Sequence, residues 1–213
     1  TNGYVEVFSQ EDYPADKGVN SFGVQDDFLY DYAIPVLNQR AATGQPFFAT
    51  LLSISNHPPY VIPPFFHPKT SEPETQIVEY ADWALRQFFE EARKQPWFDN
   101  TIFVLEGDHG KLVGDAECEL PESYNHIPLM IYSSRIQPEE KTTFGGQVDI
   151  QPTILGLLNI DYLQNNFGVD LLKEERPCMF YTADNMVVGR NDTILYLYNY
   201  ETQQELTYDI GDG

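Results

Sequence analysis

The sequence has few basic residues, few cysteines and no long apolar run. Twelve Lys and Arg stand against 33 Asp and Glu, a formal charge of −21 over 213 residues. A field of that sign repels phosphate backbones, so nucleic acid is a poor partner, and simple docking on an anionic membrane surface is disfavoured. A bound metal ion could still offer local positive charge to an anionic substrate. The two cysteines, Cys118 and Cys178, make neither a disulfide framework nor a CxxC metal site. They read as free and structural, with one bridge between them as the alternative. No stretch approaches the roughly 18–20 apolar residues that cross a bilayer, and no signal peptide is visible. The chain opens Thr-Asn-Gly-Tyr without an initiator Met. It is therefore expected to be a fragment, with any anchor or leader upstream.

What is present is an ordinary globular composition, 42% apolar and 21% charged. That is enough for one domain with a sizeable core, or one domain and a small appendage. Residues 1–25 read mostly as loop. Phe28, Leu29, Tyr32, Ala33, Val36 and Leu37 recur at helical spacing, predicting a short helix over 26–37, although Pro35 argues against its regularity. Residues 46–55 form a nearly continuous apolar run, the pattern of a strand covered on both faces. Six prolines (58, 59, 63, 64, 68 and 73) make 58–73 a loop. The clearest helix spans 76–95, with Ile77, Ala81, Ala84, Leu85, Phe88 and Ala92 as its buried stripe. Residues 101–105 and 127–132 read as two further buried strands, and 111–125 as loop. Asp149 reads as the N-cap of a helix through Leu158 with Ile154, Leu155 and Leu158 facing in. Strand–helix–strand–strand–helix order indicates a layered α/β sheet. From about Met179, short strand-like runs separated by Asn, Asp and Gly turns predict a small antiparallel sheet.

Ligands of open α/β sheets bind outside the carboxyl ends of the strands. His57 and His109 follow predicted strands, and His126 just precedes one. Asp108 and His109 lie in Gly-Asp-His-Gly, where an Asp oxygen and a His nitrogen suit a borderline divalent cation such as Mn²⁺ or Zn²⁺. The competing reading is a turn Asp beside a surface His. Glu106 is a candidate outer-shell group that the sequence does not decide. His57 stands on a stiff loop before Pro58-Pro59, where its ring could donate to an oxyanion or transfer a proton, or simply cap the turn. His126 can be a substrate-side group or a strand-edge His bonded to its neighbours. For His67, in the proline-rich loop, the structural reading is preferred. Thr50, Ser53 and Ser55 raise the idea of a Ser–His pair, but no nucleophile-elbow signature accompanies them.

Several segments together resemble one family in order: Phe22–Asp31, Phe47–Tyr60 with its Ser-Asn-His-Pro-Pro, Val78–Gly110 with Asp-Asn-Thr and Gly-Asp-His-Gly, Tyr124–Tyr132, and Gln147–Ile160 with Gln-Val-Asp-Ile-Gln-Pro-Thr-Ile-Leu. The chain is similar to the sulfatase-like enzymes of the alkaline phosphatase superfamily, nearest to lipoteichoic acid synthase-type phosphoglycerol transferases. The resemblance implies an α/β/α sandwich of alkaline-phosphatase type, present in part, with a small C-terminal antiparallel sheet. It divides the chain into residues 1–170, the C-terminal part of a sulfatase-like catalytic domain, and residues 171–213, a small antiparallel subdomain. It implies Asp108 and His109 as metal ligands, for Mn or Zn, or Ca in a true sulfatase. It implies His57 and His126 as substrate-binding residues. The family's nucleophile, and another acidic ligand, match no residue here, so the N-terminal half of the domain is expected to be missing and the chain alone inactive. The implied partner is a phosphate- or sulfate-ester substrate, free or lipid-linked. The implied place is extracytoplasmic, periplasmic or at the cell surface, in a parent anchored through upstream membrane segments. A sulfatase or phosphodiesterase of the same superfamily is the alternative enzyme, and a non-catalytic binding module the alternative of another class.

Overall fold

The computed structural model describes residues 3–20, 22–111 and 118–210. Its elements are β1 (Gly18–Asn20), β2 (Gly23–Val24), α1 (Asp26–Ala42), α2 (Pro73–Ala92), β3 (Phe103–Glu106), β4 (Leu129–Tyr132), α3 (Ile150–Leu157), β5 (Met179–Ala183), β6 (Met186–Arg190), β7 (Ile194–Asn199) and β8 (Gln204–Asp209), with short 3₁₀ turns before β1 and between later elements. The chain divides into two compact units, residues 1–104 with 131–136, and residues 105–130 with 137–213. No helix among the described residues is long and apolar enough to cross a membrane.

The first unit is built on α1 and α2. The α2 stripe is Ile77, Tyr80, Ala84, Phe88 and Ala92, every three or four residues, close to the predicted face. Tyr80 replaces Ala81 in that stripe, because Ile77, Tyr80 and Ala84 pack under Tyr30, Tyr60, Ile62, Phe66 and Trp83. At the other end Phe88 and Ala92 meet Ala33 and Leu37 of α1, closed by Trp97 and Phe98. Pro73 opens α2, where a missing N–H costs nothing. The first helix runs beyond its predicted end, straight through Pro35. Burial of Ala33 and Leu37 on either side of the proline favours continuing the helix there, against the lost backbone hydrogen bond.

The strand expected over 46–55 is not observed. Residues 46–54 carry no ladder among the described residues, and Phe48 and Leu52 are 79% and 71% exposed. An apolar run states a demand for burial, but a strand also needs a hydrogen-bonded neighbour. The strands expected over 101–105 and 127–132 appear as β3 and β4, which pair with each other. They are not covered on both faces: Val104, Leu129, Met130 and Tyr132 are exposed.

In the second unit β5 to β8 form the expected antiparallel sheet, each strand paired with its neighbour in chain order. Asp184 and Asn185 both take positive φ at the β5–β6 turn, the conformation a two-residue hairpin loop requires. Val188, Leu195 and Leu197 project to one face and bury Leu120 against it. The loop expected over 111–125 falls partly outside the described residues, at 112–117. Cys118 and Cys178 are both free. In α3 the buried residues are Pro152 and Thr153, whereas Leu158 is exposed. The expected inward face is displaced because the Thr153 hydroxyl bonds backward to the Asp149 carbonyl and accepts from the Leu171 N–H, which draws the 169–171 segment over that side.

Tyr80 is fully buried, and its hydroxyl donates to Asp27 Oδ1 at 2.5 Å. Burial first, and then that bond, raise the phenol well above its ordinary value, so it keeps its proton, and its oxygen also accepts from the Asp27 N–H at 3.3 Å. Tyr80→Phe is expected to lower the unfolding free energy by about 1.5–3 kcal/mol, the range for a bond to a charged acceptor. Urea denaturation measures this, and an unchanged midpoint would contradict it.

Candidate functional site

The pair Asp108-His109 lies directly past the end of β3, in the second unit. Hydrogen bonds from outside the turn hold it. The Gly107 N–H reaches the Pro128 carbonyl at 3.4 Å, and the Gly110 N–H reaches the Tyr124 carbonyl at 2.7 Å. The Gln147 amide donates to the Asp108 carbonyl at 3.0 Å. Gly110 is needed for space and not for a left-handed φ: a Cβ there would lie 1.9 Å from the Ser123 carbonyl oxygen. The backbone is thus pinned while both side chains remain in solvent, Asp108 75% and His109 67% exposed.

Within the pair, the His109 N–H donates to Asp108 Oδ1 at 3.0 Å. His109 Nδ1 lies 2.8 Å from the Gly110 carbonyl. A carbonyl can only accept, so Nδ1 carries the proton and Nε2 of the neutral ring keeps a free lone pair. Nε2 lies 3.9 Å from Asp108 Oδ1. Two donors each about 2.0–2.2 Å from one cation stand about 3.4 Å apart at a tetrahedral angle, so a small side-chain rotation brings the pair to a separation at which it can share an ion. The oxygen and imidazole donors fit Mn²⁺ or Zn²⁺. Among the described residues no group of three or more His, Cys, Asp and Glu side chains is gathered to hold a metal.

His126 is exposed and stands in the segment that pins this turn. Its N–H and that of Asn125 both donate to the Glu122 carbonyl at 2.8 Å, in the 3₁₀ turn Glu122–Tyr124. The Glu122 side chain is ion-paired with Arg190 of β6, which ties the turn to the C-terminal sheet. Glu106 is exposed at the end of β3.

His57 belongs to the first unit. Its N–H closes a turn on the Ile54 carbonyl at 2.9 Å, and its ring lies 4.1 Å, centre to centre, from that of Phe22. Nδ1 is 2.8 Å from the Pro58 carbonyl, so by the same argument Nε2 is the free nitrogen. The loop that carries His57 is held by Asp26, the first residue of α1 and 2% exposed. Asp26 Oδ1 accepts from the Ile54 N–H at 3.1 Å and the Ser55 N–H at 3.0 Å. Ser55 Oγ donates to Gln25 Oε1 at 2.9 Å and accepts from the Asp26 N–H at 3.1 Å. Ser55 is therefore a buried structural hydroxyl, and the Ser–His idea has no support at this position. His67 is exposed in the proline-rich loop.

Sequence reasoning missed Asp26 and Gln147. Both had a signal, since each lies in a segment that carried the family resemblance and each stands at the start of a helical turn. Their partners lie 28 to 40 residues away, and only the fold shows those.

A solved protein in the alkaline phosphatase superfamily from Vibrio parahaemolyticus superposes on 94% of this chain and 53% of its own, with a TM-score of 0.79 at 27% identity. The fold is that of the superfamily. The chain belongs to the Sulfatase family, whose model matches residues 1–160. Lipoteichoic acid synthase 1 of Bacillus subtilis (strain 168) is 27% identical over 233 residues, covering 99% of this chain and 35% of the relative. The lipoteichoic acid synthase of Staphylococcus saprophyticus is 27% identical over 186 residues, covering 76% of this chain and 28% of the relative. The chain thus spans about a third of the length of these relatives.

Burial pushes the Asp26 carboxyl above the ordinary carboxylate value, against the lowering pull of its Ser55 and Ile54 bonds. An acid whose pKa rises on folding binds its proton more tightly in the folded state. Its contribution to stability is complete below about pH 4 and is lost as pH climbs through the raised value. The stability of the wild type relative to Asp26→Asn is therefore expected to fall as pH rises from about 4, then flatten. Denaturation midpoints of both proteins across pH would show this, and a constant difference would refute it.

Proposed function

We propose that this chain carries part of the active site of a metal-dependent, sulfatase-like enzyme of the phosphoglycerol-transferase type, acting on phosphate esters at the cell envelope. The observation that carries this reading is the Asp108-His109 pair: two exposed donor atoms 3.9 Å apart on a backbone-pinned turn, in a chain of the Sulfatase family. The sizeable likeness to lipoteichoic acid synthases favours phosphate over sulfate esters, and an extracytoplasmic place of action. A substrate carried on a lipid fits that place.

Asp108 and His109 would hold the cation, Mn²⁺ or Zn²⁺, with further ligands and the nucleophile supplied from outside these 213 residues; alone, the chain would be inactive. A divalent ion there would supply a Lewis acid for a phosphoryl oxygen and lower the pKa of a bound hydroxyl. His109 contributes Nε2 because the Gly110 carbonyl holds its other nitrogen protonated. Asp108 contributes negative charge that the carbonyl-rich turn does not neutralise. His57 presents Nε2 as a proton acceptor when neutral, and as a donor to an anionic oxygen when protonated. Phe22 against one face and Pro58 at Nδ1 limit the ring's rotation. His126 would contact the substrate.

In the intact protein, Asp108→Asn and His109→Gln are expected to remove most bound Mn²⁺ or Zn²⁺ and to lower phosphodiester turnover by at least about 100-fold, since even outer-shell partners cost 10–100-fold. His57→Gln is expected to lower turnover while leaving metal content unchanged. Elemental analysis beside hydrolysis of an aryl phosphodiester and an aryl sulfate separates the two ester classes. Wild-type metal content in Asp108→Asn would reject the reading.

A further inference from the structure

We propose that Gln147 is a positioning residue for the Asp108-His109 pair, and that it sets metal affinity without touching the metal. The inference rests on the metal reading of that pair. Gln147 Nε2 donates to the Asp108 carbonyl at 3.0 Å and lies 3.4 Å from the Gly107 carbonyl. These two carbonyls belong to the peptide planes on either side of Asp108. The plane after it also carries the His109 N–H that bonds Asp108 Oδ1. One side-chain amide, with two N–H donors, thus fixes the planes from which both ligand side chains spring.

The amide is aimed from a stiff base. Gln147 opens the 3₁₀ turn Gln147–Asp149, whose last residue is fully buried. Asp149 Oδ2 accepts from the Gly146 N–H at 2.9 Å, and Oδ1 accepts from the Val169 N–H at 2.8 Å. Arg176 pairs with the same carboxylate through Nε at 3.1 Å and Nη2 at 2.5 Å. Gln147 itself is exposed, so its bonds add little to global stability, and their effect falls on the turn they hold.

Two substitutions separate position from charge. Gln147→Met keeps the length and removes the donors. Gln147→Glu also removes them, and it adds a negative charge beside the cation, which by field alone would tighten binding. Positioning predicts that both variants weaken Mn²⁺ binding by about 10-fold, the low end for outer-shell partners. Equilibrium dialysis of the intact protein with Mn²⁺ reads this. In the metal-free protein the His109 and Gly110 amides are expected to exchange hydrogen faster in both variants. Melting temperatures should stay within about 4 °C of wild type. Asp108→Asn is the control. If it loses Mn²⁺ while both Gln147 variants bind within twofold of wild type, or Gln147→Glu binds tighter, the positioning role is overturned and the metal reading stands. If Asp108→Asn binds Mn²⁺ like wild type, the pair is not the metal site and the proposal falls with it.

Discussion

Burying a carboxylate costs several kcal/mol unless other groups replace its water. Asp149 meets that cost by taking two backbone N–H groups and a guanidinium at once. Arg176 also donates to the Phe167 carbonyl at 2.5 Å, and Thr153 joins the Asp149 carbonyl to the Leu171 N–H. Residues 146 to 176 are thereby tied into one knot around a single charged group. The expected helix cap at Asp149 is in the right place, but its carboxylate turns back toward Gly146 and across to Val169, not into α3. The helix start still favours a negative charge there through its dipole.

The first unit uses the same device at Asp26, in the first turn of α1. There the carboxylate captures Ile54 and Ser55, which fixes the root of the His57 turn. Its bonds there come from backbone N–H groups, and burial leaves the acid raised above its ordinary range. In both units a buried acid does the bracing while the candidate site residues stay in solvent. This division suits a metal or anion site: the scaffold is satisfied internally, and the donor atoms keep free lone pairs. It also explains how so acidic a chain spends its few cations. In the second unit Arg176 serves Asp149, and Arg190 serves Glu122 while its guanidinium lies over the Phe144 ring.

Elements whose pattern is local were readable from sequence. The α2 stripe and the β5–β8 meander follow from 3.6- and 2-residue periods and from turn residues that tolerate positive φ. Misreadings came where a partner decides the outcome. The apolar run 46–55 has the content of a covered strand and no ladder among the described residues. Pro35 is tolerated because Ala33 and Leu37 are buried beside it. The α3 face turned because Thr153 found backbone partners near residue 170. Of the candidate site, the residue types and the turn after β3 were legible. The roles of Gln147, Asp26 and Ser55 were not.

The sequence by itself determined the family, through five ordered segments that no single motif could replace, and it determined the large excess of acid over base. It also placed Asp108 and His109 at a strand end, because adjacency and strand termination are local properties. Only the tertiary structure decided which nitrogen of His57 and of His109 is free, how far the His109 Nε2 stands from the Asp108 oxygen, and which residues brace the turn. The bracing depends on a group tens of residues away, and the rest on side-chain rotation that no spacing encodes, even where the partner is the next residue in the chain.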